Sequence, residues 1–334
     1  MLPAMQISHT TGSIVFFAAI LLISACTLMY LLAWAGRKVQ RQKEPKRSGP
    51  ARWTRRGVLA LAGTGLASVA WGYFREPYRL TITRNRIVTP KLHGATRPVR
   101  IVQISDMHCD PVVRNELELP GLIASLKPDI IVYTGDSINS PDGLTNFRRC
   151  LTKIAKIAPT YVSKGNWDYY FGPLDYFGET GAIELDGTNQ RLEIAGGHLW
   201  ISGAGIMDGY TKIPPAKILD NALAKIPKED FKIFLHHYPD LIHSLEARGV
   251  DLHFAGHTHG GQVAMPLYGA LLTASKYGKK FEAGLYRVGK THLYVNRGIG
   301  MEGNAPRVRF WCPPEVCLME LVPETTATTS PNNA

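Results

Sequence analysis

Between residues 78 and 295 the chain repeats one pattern: a short run rich in β-branched or aromatic residues, often followed at once by Asp, Asn or His. The runs lie at 99–104, 130–133, 160–163, 198–202, 231–235, 250–254 and 292–295, and a partly alternating stretch at 78–87 reads as an edge strand. Near-continuous apolarity over so few residues marks strands buried on both faces. Helical spacing appears between several of them. Leu122, Ile123 and Leu126 form a short face before Pro128, and Leu144, Phe147, Leu151, Ile154 and Ile157 a longer one before Pro159. Leu241, Ile242 and Leu245 form a third, with Gly249 as its C-cap. Strands alternating with helices predict an α/β domain of layered sheets over 78–323. The Thr-, Asn- and Pro-rich tail, 324–334, predicts disorder.

The chemistry lies at the strand exits. The run 250–254 leads into A-G-H-T-H-G-G-Q, which sets His257 and His259 one residue apart. In extended backbone, residues i and i+2 face the same side, so both rings can converge on one point, as metal ligands do. Two surface loop histidines are the plainer alternative. The run 99–104 leads into S-D-M-H, with Asp106 and His108 at the same spacing, and 130–133 leads to Asp136. After 160–163 come Asn166 and Asp168, and after 231–235 come His236 and His237. Singly each has a bland reading: Asp136 could cap a helix, Asn166 fill a turn, and a buried strand-end His be structural. Jointly they do not. Carboxylate and amide oxygens mixed with imidazoles suit Mn, Fe or Zn, and even seven ligands from this set exceed what one ion with an open position takes, so two divalent ions fit better.

The N-terminal part obeys different rules. Residues 14–35 form an uncharged run of 22, about 33 Å as a helix at ~1.5 Å per residue, enough to span a bilayer. The loop 37–56 carries nine Lys/Arg, whereas the residues before the run carry none, which places the loop in the cytoplasm and the N-terminus outside. A second uncharged stretch, 57–74, is a marginal span. Its entrance, with Arg55 and Arg56 before Gly57, Val58 and Leu59, resembles a twin-arginine export signal with Val58 where Phe is usual, and Ser68, Val69 and Ala70 could be read as a cleavage site. Residues 1–77 are expected to be a membrane anchor, and with or without cleavage the catalytic domain after Pro77 is expected on the periplasmic or outer face. Residues 1–80 hold 11 Lys/Arg against 2 Asp/Glu and the remainder 27 against 25, so the basicity belongs to the anchor and a nucleic-acid partner is not expected. Cys312 and Cys317 admit a disulfide, with buried free thiols as the alternative.

In order and spacing, D-M-H, G-D, G-N, H-Y-P and G-H-T-H resemble the calcineurin-like metallophosphoesterases, over roughly 99–321. The later G-L-Y, N-R-G-I-G and C-P-P-E segments resemble the membrane-associated or exported bacterial subgroup. The resemblance implies a four-layer sandwich of two β-sheets flanked by helices, preceded here by transmembrane helices. It implies a dinuclear site in which Asp106, His108 and His259 hold one ion, Asn166, His237 and His257 the other, and Asp136 bridges. His237 is chosen over His236 because the family ligand stands two residues before the proline, here Pro239. The implied reaction is hydrolysis of a phosphodiester or pyrophosphate in a small or lipid-linked substrate. Arg297 is a candidate for contacting phosphate, as are Lys276, Lys279 and Lys280, for which a solvated face serves as well. The alternatives are an enzyme resembling UDP-2,3-diacylglucosamine pyrophosphatases, which needs a cytoplasmic domain, and a metal-binding scaffold without turnover. One departure matters: the residue after Asn166, usually a His that assists the leaving group, is Trp167. It opens an aromatic run, Tyr169, Tyr170, Phe171, Tyr176 and Phe177, that could wall the site or belong to the core.

Overall fold

The computed structural model describes residues 51–206, 213–303 and 307–324. The tail beyond residue 324 and the candidate span at 14–35 lie outside them. The described helices are α1 (Ala51–Phe74), α2 (Leu119–Ser125), α3 (Leu144–Ala155), α4 (Asn166–Tyr170), α5 (Pro215–Ala222) and α6 (Ile242–Glu246). The strands are β1 (Thr81–Thr89), β2 (Val99–Ile104), β3 (Ile130–Thr134), β4 (Thr160–Ser163), β5 (Ile183–Glu184), β6 (Thr188–Ile194) and β7 (Gly197–Gly203). There follow β8 (Lys232–Leu235), β9 (Leu252–Ala255), β10 (Ala264–Met265), β11 (Gly269–Ala270), β12 (Gly284–Val288), β13 (Thr291–Val295) and β14 (Glu315–Pro323).

Two six-stranded sheets make the domain. The first runs β1-β14-β2-β3-β4-β5 and the second β12-β13-β9-β8-β7-β6. In the first, β2 through β5 are mutually parallel, and β14 lies antiparallel to β2. In the second, β7, β8, β9 and β13 are parallel, with antiparallel strands at both edges. Alternate side chains of each run face opposite layers. Ile101, Val132, Ile201, Ile233 and Phe254 join one core shared by both sheets, whereas Val102, Ile131 and Tyr133 meet Ile123, Phe147 and Leu151 from α2 and α3. Phe234 of the second sheet packs with Leu219 of α5 and Leu245 of α6. The order is helix, sheet, sheet, helix, and burial on both faces explains why the strands read as unbroken apolar runs.

This compact unit begins at Glu76. By itself, α1 is a continuous 24-residue helix running from Ala51 through the stretch 57–74. Among the described residues no helix is long and apolar enough to cross a membrane. The four described cysteines, Cys109, Cys150, Cys312 and Cys317, are buried and free, so Cys312 and Cys317 form no disulfide.

Candidate metal centre

Every proposed ligand follows the C-terminal end of a parallel strand. Asp106 and His108 follow β2, Asp136 follows β3 and Asn166 opens α4 after β4; His237 follows β8, and His257 and His259 follow β9. Parallel strands point their ends the same way, so the two sheets deliver these side chains to one rim, as open α/β sheets generally do for ligands. The rims are stitched together: His257 N–H donates to Asp106 Oδ1 at 3.1 Å, and His237 Nδ1 lies 2.6 Å from the Thr134 carbonyl.

The backbone there is not extended. Asp106, His108, Asp136, His257 and His259 all have positive φ, between 41° and 71°, a region that costs a non-glycine residue about 1 kcal/mol or more and that clusters at functional sites. The i, i+2 argument from extended strands therefore fails. The chain turns left-handed as it leaves each sheet, and His257 and His259 go to different groups: Asp106, His108 and His259 converge, and so do Asp136, His237 and His257. In each group the three donor atoms lie within 4.8 Å of one another. Gly165 and Gly256 make this crowding feasible, since a side chain at either would collide with Asp136 Oδ1 or with Asp106 Oδ2 and Ser105.

Asp136 stands between the groups. Its Oδ1 accepts the Trp167 N–H at 2.8 Å, and its Oδ2 lies 3.1 Å from His237 Nε2 and 3.7 Å from His108 Nε2. His108 Nε2 and His259 Nε2 face each other at 3.2 Å, and Asp106 Oδ1 is 3.3 Å from His259 Nε2. His108 Nδ1 faces Asn139 Oδ1 at 2.9 Å and His237 Nδ1 faces a carbonyl. Both partners only accept, so each neutral ring carries its proton on Nδ1 and turns an Nε2 lone pair inward. Asn166 Oδ1 is buried without a hydrogen-bond partner, and the buried His237 Nε2 faces the Asp136 carboxylate. A buried amide oxygen left unpaired is costly by itself, and carboxylate, amide and imidazole donors of this kind fit divalent cations.

The charges tell the same story. Burial pushes the Asp106 carboxyl up to about 7, reinforced by Asp136. Burial acts against ionisation at Asp136 and His237 too, but their mutual attraction prevails, taking Asp136 down to about 2 and His237 up to about 9. Burial lowers His108 and His259. Without a cation the site thus rests on one carboxylate–imidazolium pair and a reluctant second acid, a state that bound cations would relieve.

Three supporting residues escaped the sequence reading of the ligands. Asp168, noted there only as a neighbour, accepts N–H groups from Gly165, Asp136 and Ser137 at 2.8, 3.0 and 2.9 Å, which fixes the turns bearing Asp136 and Asn166. Asn139 also donates to the His108 and Met301 carbonyls, both at 2.9 Å. Arg309 is fully buried, donates to the Gly300, Cys312 and Arg297 carbonyls, and lies 3.5 Å from His259 Nδ1. Nothing in R-V-R-F advertises that burial. By contrast, the Arg297 guanidinium is turned to Glu315 Oε2 at 3.1 Å and Thr81 Oγ1 at 3.3 Å. His236 lies outside the groups, with Nδ1 accepting the Tyr238 N–H at 3.1 Å. The aromatic run divides. Trp167 stands edge-on to His108 at 5.4 Å and packs with Tyr170 and Phe171, whereas Tyr176 and Phe177 belong to the core beneath. On the other flank the Tyr238 ring lies 4.3 Å from that of His257.

Comparison with known proteins agrees with this chemistry. Residues 99–261 match the family model for the calcineurin-like phosphoesterase domain. The chain is 32% identical over 283 residues to the metallophosphoesterase YkuE of Bacillus subtilis, covering 79% of this chain and 94% of that protein. It is 31% identical over 288 residues to phosphodiesterase YaeI of Escherichia coli, covering 80% and 98%. To the UDP-2,3-diacylglucosamine pyrophosphatase LpxG of Chlamydia trachomatis it is 27% identical over 333 residues, covering 80% and 98%. With two sheets converging on paired clusters of carboxylate and imidazole, the chain belongs to the calcineurin-like metallophosphoesterase family and is a hydrolase of phosphoric ester bonds.

Proposed function

We propose that this phosphoesterase cleaves a phosphodiester or pyrophosphate bond in a membrane-associated substrate. In this reading Asp106, His108 and His259 would hold one divalent ion, Asn166, His237 and His257 would hold a second, and Asp136, which faces both groups, would serve both. The observation that carries it is the convergence of two three-ligand groups, with Asp136 Oδ2 facing His237 of its own group and His108 of the other, beside the unpartnered Asn166 Oδ1. When bound, two divalent cations supply Lewis acidity, acidifying water and offsetting charge that gathers on the phosphoryl oxygens. The chain's part is to hold geometry and protons. The Trp167 N–H fixes Asp136 Oδ1, which leaves Oδ2 to face both clusters. Asn139 and the Thr134 carbonyl keep His108 and His237 with their lone pairs inward. Arg297, held by Glu315 and Thr81, is kept in this reading as the candidate for contacting phosphate.

The test is release of p-nitrophenol from bis-p-nitrophenyl phosphate by the full chain with Mn, Fe, Co or Zn. Asp136→Asn should lose bound metal and hydrolysis together; a merely structural Asp136 would lose stability through its broken pair with His237 while bound metal and turnover stay. Full activity in that variant refutes the dinuclear arrangement.

The membrane reading rests on the uncharged run 14–35, and its orientation on the nine Lys/Arg of 37–56. A reporter fused after Ala334 should be active only outside the cytoplasm, and one inserted near Lys46 only inside. A second reading, hydrolysis of a UDP-linked acylated sugar, is favoured by the likeness to the pyrophosphatase LpxG. A cytoplasmic C-terminus would select it.

A further inference from the structure

Directly after His259 the chain leaves the metal centre as a short hairpin, β10 and β11, whose tip carries apolar side chains into solvent. Met265, Leu267, Tyr268, Leu271 and Leu272 are all exposed, Leu267 completely. The turn closes with the Tyr268 N–H on the Met265 carbonyl at 3.2 Å, and its central residues are Pro266 and Leu267, the latter with φ 66°. A type II turn places Gly or Asn at that second position because it is left-handed; a leucine is strained there. Burial does not account for it. The turn thus holds a bulky apolar side chain outward, in a backbone conformation that disfavours it, and contiguous exposed apolar surface of this kind marks an interaction site.

Its surroundings say what it meets. The Ala264 N–H donates to the Phe310 carbonyl at 2.9 Å, so the exposed Trp311 stands at the hairpin's base. Lys276 and Lys280 are exposed just beyond β11, and Lys279 Nζ lies 3.4 Å from the Tyr268 ring centre and bonds its carbonyl. Glu282 is the one acid in 264–283, its carboxylate accepting the Ala270 N–H at 3.0 Å and lying 3.8 Å from Lys279 Nζ, and Asp240 accepts the Lys276 N–H at 3.0 Å, which leaves the Lys276 and Lys280 ammonium groups outward. An apolar tip, aromatic rings at its base and a border of lysines suit the headgroup boundary of an anionic bilayer. A second copy docking on the same face would bring like-charged lysines together.

We propose that the hairpin 264–272, with Trp311, Lys276, Lys279 and Lys280, docks on an anionic lipid surface and sets the metal centre beside the headgroup plane. The proposal rests on the reading of a membrane-associated substrate and adds the element that meets the membrane. The link to the site is short: Thr258, between His257 and His259, donates to the Glu282 carbonyl at 2.7 Å, while the Glu282 carboxylate holds the hairpin at Ala270.

The experiment uses the full chain reconstituted in vesicles, with Leu267→Cys in a Cys26→Ser background labelled by an environment-sensitive fluorophore. With phosphatidylglycerol present, emission should shift to the blue and be quenched by brominated acyl chains. Replacing Lys276, Lys279 and Lys280 together by Glu should weaken both. Solvent-like emission on those vesicles, or an equal shift on phosphatidylcholine alone, overturns the proposal. So does a blue shift in detergent that grows with protein concentration, which signals a second copy instead. Hydrolysis of bis-p-nitrophenyl phosphate by the same labelled chain in detergent is measured alongside. Hydrolysis with a solvated tip removes the docking element and leaves the functional reading standing; an inserted tip without hydrolysis does the reverse.

Discussion

Asp168 touches no proposed ligand atom, yet the geometry of two ligands hangs on it. Its carboxylate accepts the Gly165 and Asp136 N–H groups on one oxygen and the Ser137 N–H on the other, all buried. Truncation to Ala orphans three donors. At about 1.5–3 kcal/mol for each hydrogen bond to a charged group, with some return from entering water, Asp168→Ala should cost roughly 3–6 kcal/mol. The same change frees the turns at 135–137 and 165–166, and a shift of about 1 Å in a reacting constellation can cost ~100-fold in rate. Asp168→Asn is the sharper probe. Its carbonyl oxygen can keep the two N–H groups of Gly165 and Asp136, while its amide confronts the Ser137 donor, a loss of about 1.5–3 kcal/mol. Against that, burial holds the Asp168 carboxyl up at about 6, so a neutral side chain recovers part of the loss above that pH. Thermal unfolding of metal-free protein, metal content by mass spectrometry and hydrolysis of bis-p-nitrophenyl phosphate read the three consequences. Expected are a large fall in Tm for Ala, a small one for Asn near pH 8, and reduced metal and turnover in both. Unchanged metal content and rate in Asp168→Ala would refute the argument that these turns are held from behind.

Three further outcomes follow from the same geometry. Metal binding must displace the His237 proton, held up at about 9, and any proton on Asp106, held up at about 7; affinity should rise and proton release fall between about pH 7 and 9, and calorimetry in buffers of different ionisation enthalpy showing no proton release near pH 7 would contradict this. In metal-free protein the raised His237 contributes stability that is full below about pH 6.5 and lost as pH rises through about 9, while the depressed Asp136 contributes stability present above about pH 4 and lost through about 2; Tm against pH, compared with His237→Gln, should show the alkaline loss only in the parent. Trp167→His, placing a titratable ring beside His108, should speed alkyl phosphodiesters, which need a proton on the leaving group, toward the ~100-fold of general-acid help, and aryl or pyrophosphate substrates much less; equal gains on both would remove the idea that Trp167 replaces an acid.

What the sequence discloses and what it hides divide along physical lines. Strands β2, β3, β8 and β9 are legible because both faces are buried, so their apolar runs are unbroken. Strand β14 is missing from the strands expected from sequence: it starts at Glu315, buried against Tyr294 and Arg297, and carries Glu320 opposite Arg100, so charge interrupts its apolar run although it pairs β1 on one side and β2 on the other. The ligands are legible because each stands at a strand exit; their partition is not, because spacing carries no sign of φ. A side chain that must turn back across the end of its own strand needs a chain that reverses at once, and for Asp106, His108, Asp136, His257 and His259 that reversal is left-handed. Five strained residues do not hold such conformations unaided. What opposes the strain is hydrogen bonding from residues that carry no motif: Asp168 on the Asp136 turn, Asn139 on the His108 carbonyl, and Arg309 on the carbonyls of Arg297 and Gly300. The ligand types can therefore be read from a linear pattern, but their precision belongs to a set of buried polar contacts closed only by the fold, between residues as far apart in the chain as Asn139 and Met301.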